Sequence, residues 1–97
     1  MVKHIILWTL KEECKTDEVM SGIKQGLEGL KGKIPGLVDI KVVYGGLPSS
    51  NADVMLDSTF ESADALKNYS THPAHVEVAN TKVRPYTAVR SCLDFEV

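Results

Sequence analysis

The segment from Val2 to Leu10 constrains the fold most, because it is apolar on both faces when it is read as a β-strand. One face carries Ile5, Leu7 and Thr9, and the other carries His4, Ile6, Trp8 and Leu10. A strand with two apolar faces needs a cover on each side. Helices of the same chain can cover one side, so the sequence predicts a partner that covers the other side. It does not say which of the two sets of side chains faces that partner.

The rest of the chain alternates between helix and strand patterns. Thr16 is predicted to cap a helix that ends at Pro35-Gly36, with an apolar stripe of Val19, Ile23, Leu27, Leu30 and Ile34. Strands over 38–44 and 53–60 follow, separated by a loop rich in Pro, Ser and Asn. A second helix begins after Ser62, is interrupted at Pro73 and resumes, and a last strand covers 87–97.

This β-α-β-β-α-β order predicts a ferredoxin-like α+β fold, with a four-stranded antiparallel sheet and both helices on one face. A length of 97 residues fits one domain over 1–97. The other face of the sheet is left bare and apolar. The sequence therefore predicts a homodimer that packs sheet against sheet as a dimeric α/β barrel and encloses a shared interior.

Charge and hydropathy exclude several classes of partner. The net charge is -2 and no run of Lys or Arg is present, so nucleic acid is not an expected partner. The longest apolar run, Ile5–Trp8, is too short to span a membrane, and no signal-peptide pattern precedes it. We therefore expect a cytoplasmic protein without a membrane partner, in which Cys14 and Cys92 are reduced thiols.

Five short motifs occur in a fixed order along nearly the whole chain. They are Val2-Lys3-His4-Ile5-Ile6-Leu7, Ile34-Pro35-Gly36, Phe60-Glu61-Ser62, Tyr69-x-x-His72-Pro73-x-His75 and Leu93-Asp94-Phe95. With these motifs the chain resembles the stress-responsive dimeric α/β barrel (Dabb) family. The resemblance implies a face-to-face dimer with an elongated central cavity. It implies no single function, since members include stress-associated proteins and polyketide cyclases of the olivetolic acid cyclase type.

The resemblance to the cyclases implies a catalytic pair, His75 and Tyr69, with no metal and no organic cofactor. It also places the first-strand histidine of the family on His4 and an aspartate on Asp94. A neutral imidazole is a suitable base near neutral pH, and a phenol can donate a hydrogen bond to an enolate or oxyanion. The alternative is that His75 and Tyr69 only hold the kink at Pro73.

Other candidate residues each have a structural and a functional interpretation. His4 is either a hydrogen-bonded interior side chain or a catalytic one, and Asp94 either orients it or is a solvated charge. Ile6 and Trp8 are core residues of the barrel or contacts for a ligand. His72 either caps the backbone or contacts a ligand, while Tyr44 either packs or lies at the cavity rim.

No metal site is predicted, although His4, His72 and His75 could approach one another, because no carboxylate or cysteine stands at a recognisable ligand spacing. The first helix also departs from the cyclases. They line the substrate tunnel with bulky aromatic residues of this helix, whereas this chain has Met20-Ser21-Gly22-Ile23-Lys24-Gln25-Gly26-Leu27. The pocket must therefore differ in shape and polarity.

We expect the protein to bind a small apolar or aromatic molecule in the barrel cavity. One alternative is a cofactor-free cyclase or isomerase that uses His75 as base and Tyr69 as donor. A cofactor-free monooxygenase is a further alternative that no residue singles out. The last alternative is a purely structural, stress-protective dimer whose interior is filled by side chains.

Overall fold

A computed structural model describes the whole chain, Met1–Val97. Its helices and strands are β1 (Val2–Leu10), α1 (Asp17–Glu28), β2 (Leu37–Tyr44), β3 (Val54–Phe60), α2 (Ala63–Thr71), α3 (Pro73–Val78) and β4 (Thr87–Glu96). A single π-helical turn, Ala79–Val83, extends α3. The four strands form one antiparallel sheet in the order β2-β3-β1-β4. The predicted ferredoxin-like α+β fold is confirmed.

Capping side chains set the starts of the helices where the sequence predicted them. The Thr16 hydroxyl accepts a hydrogen bond of 3.2 Å from the backbone N–H of Val19, and the Ser62 hydroxyl accepts one of 3.1 Å from Ala65. Pro73 is the first residue of α3, where its missing N–H costs no hydrogen bond. The break between α2 and α3 therefore follows from the proline.

The predicted extension of α1 to Pro35 is wrong, since the helix ends at Glu28. Gly29 follows, and Gly32 has a φ of 84°, which favours glycine and does not continue a right-handed helix. Leu30 and Ile34 are nevertheless buried, because turns carry them into the same core. None of the helices is long and apolar enough to cross a membrane.

The helices cover the face of β1 that carries His4, Ile6 and Trp8, and all three side chains are buried. The opposite face of the sheet, called the open face below, keeps five large apolar side chains exposed. These are Leu7, Val43, Val89, Leu93 and Phe95. The structure thus shows that the set of β1 side chains that includes Leu7 is the one that faces away from the helices. It also shows that nearly all of β4 is exposed, so this strand extends beyond the helical layer.

A register shift at the start of β2 determines the directions of Leu37 and Val38. Leu37 pairs with Phe60 and Asp39 with Thr59, so Val38 is the extra residue between two consecutive pairs. Leu37 is consequently buried, whereas Val38 is exposed. Further along β2, the buried residues Ile40 and Val42 alternate with the exposed residues Lys41 and Val43.

An ion pair of α1 closes the outer edge of β2. The Lys24 Nζ donates to the Val42 carbonyl at 2.8 Å and to Glu28 Oε2 at 2.8 Å. The same Glu28 oxygen accepts from the Val42 backbone N–H at 2.9 Å. Both backbone polar groups of Val42 are thus satisfied by side chains at the edge of the sheet.

Candidate functional site

A cavity of about 560 Å³ lies between the sheet and the second helical region. It is bounded by β1 and β4 below and by α2, α3 and the π-helical turn above. More than half of its lining residues are apolar, among them Ile6, Trp8, Leu27, Leu56, Leu66 and Val83. The cavity exists because β4 extends the floor of the sheet beyond the helices that cover β1 to β3. Its size suits a small organic molecule.

The cavity differs in location from the one that the resemblance predicted. The ligand was expected in a barrel cavity between two sheets, whereas His4, Ile6 and Trp8 face the helices of their own protomer. The reason is the alternation of β1, which turns these three side chains away from the open face. Side chains of one protomer therefore line this cavity.

Tyr69 lines the cavity from the last full turn of α2. Its ring is buried and packs on Phe60, with ring centroids 4.9 Å apart, and on His75, with centroids 4.2 Å apart. Its hydroxyl is buried and has no hydrogen-bond partner among the groups of the protein. Burial raises the pKa of Tyr69, so the hydroxyl is protonated and available as a donor.

His75 lies on the first turn of α3, directly after the proline kink. Its Nδ1 is 3.2 Å from the Ser70 carbonyl oxygen, and because a carbonyl only accepts, Nδ1 carries the proton. Burial lowers the pKa of His75 and the charges of Arg84 and Arg90 lower it further, although the hydrogen bond to Ser70 opposes them. The ring is therefore neutral near pH 7 and its Nε2 keeps a lone pair.

Asp94 on β4 orients His4 on the neighbouring β1, since the two residues are direct cross-strand partners. His4 Nδ1 is 2.5 Å from Asp94 Oδ1, and Cys92 Sγ is 3.4 Å from the same oxygen. Burial raises the pKa of Asp94, but the hydrogen bond and charge of His4 outweigh it, so the net shift is downward. Burial raises the pKa of Cys92, and the hydrogen bond and charge of Asp94 raise it further.

The His4 ring centroid is 6.2 Å from that of Tyr69, so the His4–Asp94 pair lies in the same site as Tyr69.

His4, Cys92 and Asp94 are also the side chains that could ligate a metal ion, because their donor atoms lie within 4.8 Å of one another. The charge of Arg90 acts on both Cys92 and Asp94 and opposes a dication at this position. The sequence did not indicate Cys92 as a ligand. The absence of a metal site stays a prediction. Both cysteines are free thiols.

Two of the predicted ligand contacts lie away from the cavity. His72 uses Nδ1 to accept a hydrogen bond of 3.1 Å from the Ala74 N–H, so its ring caps α3 and is not part of the cavity wall. Tyr44 ends β2 on the far side of the sheet from β4 and packs against the core. Tyr44 does not line this cavity, because β3 and β1 lie between β2 and β4, and its place at the rim of a barrel cavity stays a prediction.

The structure adds polar residues that sequence reasoning missed. Lys67, Arg84 and Arg90 line the cavity together with Cys92. The sequence did contain a signal for Arg90 and Cys92. They alternate with Asp94 along one strand, so their side chains must lie on the same face of the sheet as that of Asp94. Arg84 follows the π-helical turn, whose geometry had no signature in the sequence.

Comparisons with solved structures find the same fold in proteins described as dimeric. A Bacteroides fragilis protein of unknown function, described as dimeric and ferredoxin-like, is 34% identical, and the match covers 99% of this chain and 95% of that one with a TM-score of 0.88. A dimeric ferredoxin-like protein from Thermobifida fusca is 23% identical, with coverages of 99% and 90% and a TM-score of 0.86. No functionally curated protein matches the chain.

A hydroxynitrile lyase from Passiflora edulis shares the fold at 19% identity, with coverages of 99% and 92% and a TM-score of 0.83. At that identity the likeness concerns the fold and not the chemistry. The family model of the stress responsive A/B barrel domain matches residues 2–97. The chain belongs to the stress responsive A/B barrel domain family.

Proposed function

We propose that the protein is a homodimer that binds a small apolar or aromatic molecule in the cavity between its sheet and its helices. The observation that carries this proposal is the Tyr69 hydroxyl, which is buried beside an apolar cavity without a partner in the protein. A buried unpaired hydroxyl costs about 1–3 kcal/mol of stability. A ligand that accepts a hydrogen bond from Tyr69 removes this cost and gains the apolar walls as well.

The dimer is proposed from the open face. Its five exposed apolar side chains lie on one face of the sheet, and contact between water and such side chains is unfavourable. A second copy supplies a matching surface through a two-fold axis. The similar proteins from Bacteroides fragilis and Thermobifida fusca, both described as dimeric, support this assembly. We also retain a cytoplasmic location as part of the proposal.

Replacing Tyr69 by phenylalanine tests the ligand-binding proposal. We expect Tyr69→Phe to stabilise the unliganded protein by about 1 kcal/mol, because the unpaired hydroxyl is removed and the ring packing is kept. The same change is expected to weaken the binding of phenylacetone, a neutral aromatic ketone. Thermal unfolding measures the first effect. Emission of Trp8, the one tryptophan of the chain and a cavity residue, measures the second.

Tyr44→Phe is the matched control, since it removes the same atom from a tyrosine outside the cavity. It is expected to leave phenylacetone binding unchanged. If Tyr69→Phe destabilises the unliganded protein, the hydroxyl is satisfied in solution and the main support for the proposal is lost. If Trp8 emission responds to no member of a panel of aromatic ketones, the structural, stress-protective role is favoured instead.

A second candidate function is proton transfer on a carbonyl compound, and it is favoured by the geometry of Tyr69 and His75. In this reaction Nε2 of His75 removes a proton from the carbon next to the carbonyl, and the C–H electron pair forms the enolate double bond. The carbonyl electrons move to oxygen, where the Tyr69 hydroxyl donates a hydrogen bond. The 4.2 Å ring separation allows both groups to contact one substrate.

We expect the protein to accelerate hydrogen–deuterium exchange at the acidic carbon of phenylacetone, measured by NMR, and His75→Gln to lower the rate about a hundredfold or more. The exchange rate should stay high at pH values below the ordinary pKa of histidine. Because the pKa of His75 is lowered, its ring stays neutral at those pH values and can still accept the proton. His72→Asn, which keeps a capping acceptor outside the cavity, should exchange at the original rate. Equal rates for His75→Gln and the unmodified protein would remove His75 from the mechanism.

A further inference from the structure

The two arginines of this chain both line the cavity, although they are 6 positions apart on different structural elements. Arg84 follows the π-helical turn and Arg90 lies on β4. Both guanidinium groups are close enough to His75 for their charges to lower its pKa. They therefore line one cavity from two sides, Arg84 from the helical side and Arg90 from the sheet.

Neither arginine forms an ion pair with a carboxylate in the protein. Arg84 Nη1 donates to Asn80 Oδ1 at 2.6 Å, and the remaining N–H groups of that guanidinium are free to bind another acceptor. Lys67, also unpaired, lines the same cavity. The one carboxylate in the lining, Asp94, is hydrogen-bonded to His4.

The cavity is thus positively charged in a chain whose formal net charge is -2. Its lining includes two planar guanidinium forks, which match the oxygens of a carboxylate or phosphate in a bidentate manner. Its other walls are apolar, and the unpartnered Tyr69 hydroxyl supplies one more donor. These features complement a molecule with an apolar body and an anionic head.

We infer that the ligand of the cavity is an organic anion, whose carboxylate or phosphate head lies between Arg84 and Arg90 and whose apolar body contacts Trp8 and Leu66. This inference rests on the proposed ligand-binding function and adds the chemical class of the ligand. Neutral aromatic compounds bind the same walls but leave the two guanidinium groups without an anionic partner.

Three probes that differ only at the head group test the inference: 6-phenylhexanoate, 6-phenylhexanamide and 5-phenylpentyl phosphate. Binding to the full-length protein is followed by Trp8 emission. We expect an anion to bind about tenfold or more tightly than the amide, and this preference to decrease at high salt. Arg84→Gln and Arg90→Gln should each reduce the preference, while amide affinity stays the same.

Lys33→Gln is the control, because Lys33 is exposed and lies outside the cavity. This variant should keep the full preference for the anionic probes over the amide. Tighter binding of the carboxylate or of the phosphate identifies which head group the site takes. If the amide binds as tightly as both anions, the inference fails while cavity binding stands. If none of the three probes and no neutral ketone changes Trp8 emission, the proposed function fails and the inference with it.

Discussion

Replacing Leu93 by aspartate is expected to convert the proposed dimer into a folded monomer. Leu93 is exposed on the open face and pairs across the strands with Ile5. In a two-fold interface each substitution occurs twice, so two uncompensated carboxylates enter an apolar contact. We expect the dissociation constant to rise by about a hundredfold or more, equal to about 2.7 kcal/mol.

Light scattering at micromolar concentration measures the assembly, and circular dichroism reports whether the monomer is folded. Leu47→Asp is the control, because Leu47 is also exposed but lies in the loop after β2 and not on the open face. It should leave the dimer intact. A dimeric Leu93→Asp variant places the interface elsewhere and contradicts sheet-to-sheet packing.

Replacing Gly36 by alanine is expected to destabilise the fold more than any other single methyl addition at a glycine. Gly36 has a φ of 81°, and a Cβ built on it lies 2.5 Å from the Cβ of Ala65 on α2. The positive φ alone costs an alanine about 1–2 kcal/mol. The collision adds to this cost, so we expect a total loss of about 3 kcal/mol or more in the free energy of unfolding.

Gly32→Ala separates the two costs, since Gly32 has nearly the same φ, 84°. Apart from Gly32 and its two chain neighbours, no residue has an atom within 4 Å of the position that the added methyl group would occupy. Denaturant unfolding should show a loss of about 1–2 kcal/mol for this variant. In the double variant Gly36→Ala with Ala65→Gly the collision is relieved, and part of the stability should return. Equal losses for Gly36→Ala and Gly32→Ala would show that α2 moves aside without cost.

The contact at Gly36 also matters for the site. It sets how closely α2 approaches the start of β2, and the Glu61 N–H donates to the Gly36 carbonyl at 2.9 Å. Tyr69 is carried by the same helix. A bulkier residue at position 36 is therefore expected to move Tyr69 and Ser70 together, because both lie on α2, and to shift Tyr69 relative to His4 on β1.

The sequence predicted the fold well because its local signals agree with one another. Thr16, Ser62 and Pro73 each start a helix where capping chemistry requires it. The end of α1 was missed, because apolar spacing continues to Ile34 although the backbone leaves the helix near Gly29. Periodicity reports which side chains are buried and not which backbone conformation carries them there.

The candidate site was predicted in part. Tyr69, His75, His4 and Asp94 do lie around one cavity, and the proximity of His4 to Asp94 follows from β1 pairing with β4. The side of the sheet on which this cavity lies was not predictable, because both faces of β1 are apolar. Arg84 and Arg90 were missed since their convergence depends on a π-helical turn and on an uncovered strand, which are tertiary properties.

The Lys24–Glu28 pair at Val42 limits how this protein can polymerise. Growth of a continuous intermolecular sheet needs two free strand edges on each molecule, one to join the preceding copy and one to receive the next. At its midpoint β2 offers neither a free N–H nor a free carbonyl, so only β4 retains an open edge along its length. Edge-to-edge growth that pairs a strand with β2 at Val42 must therefore first break this ion pair.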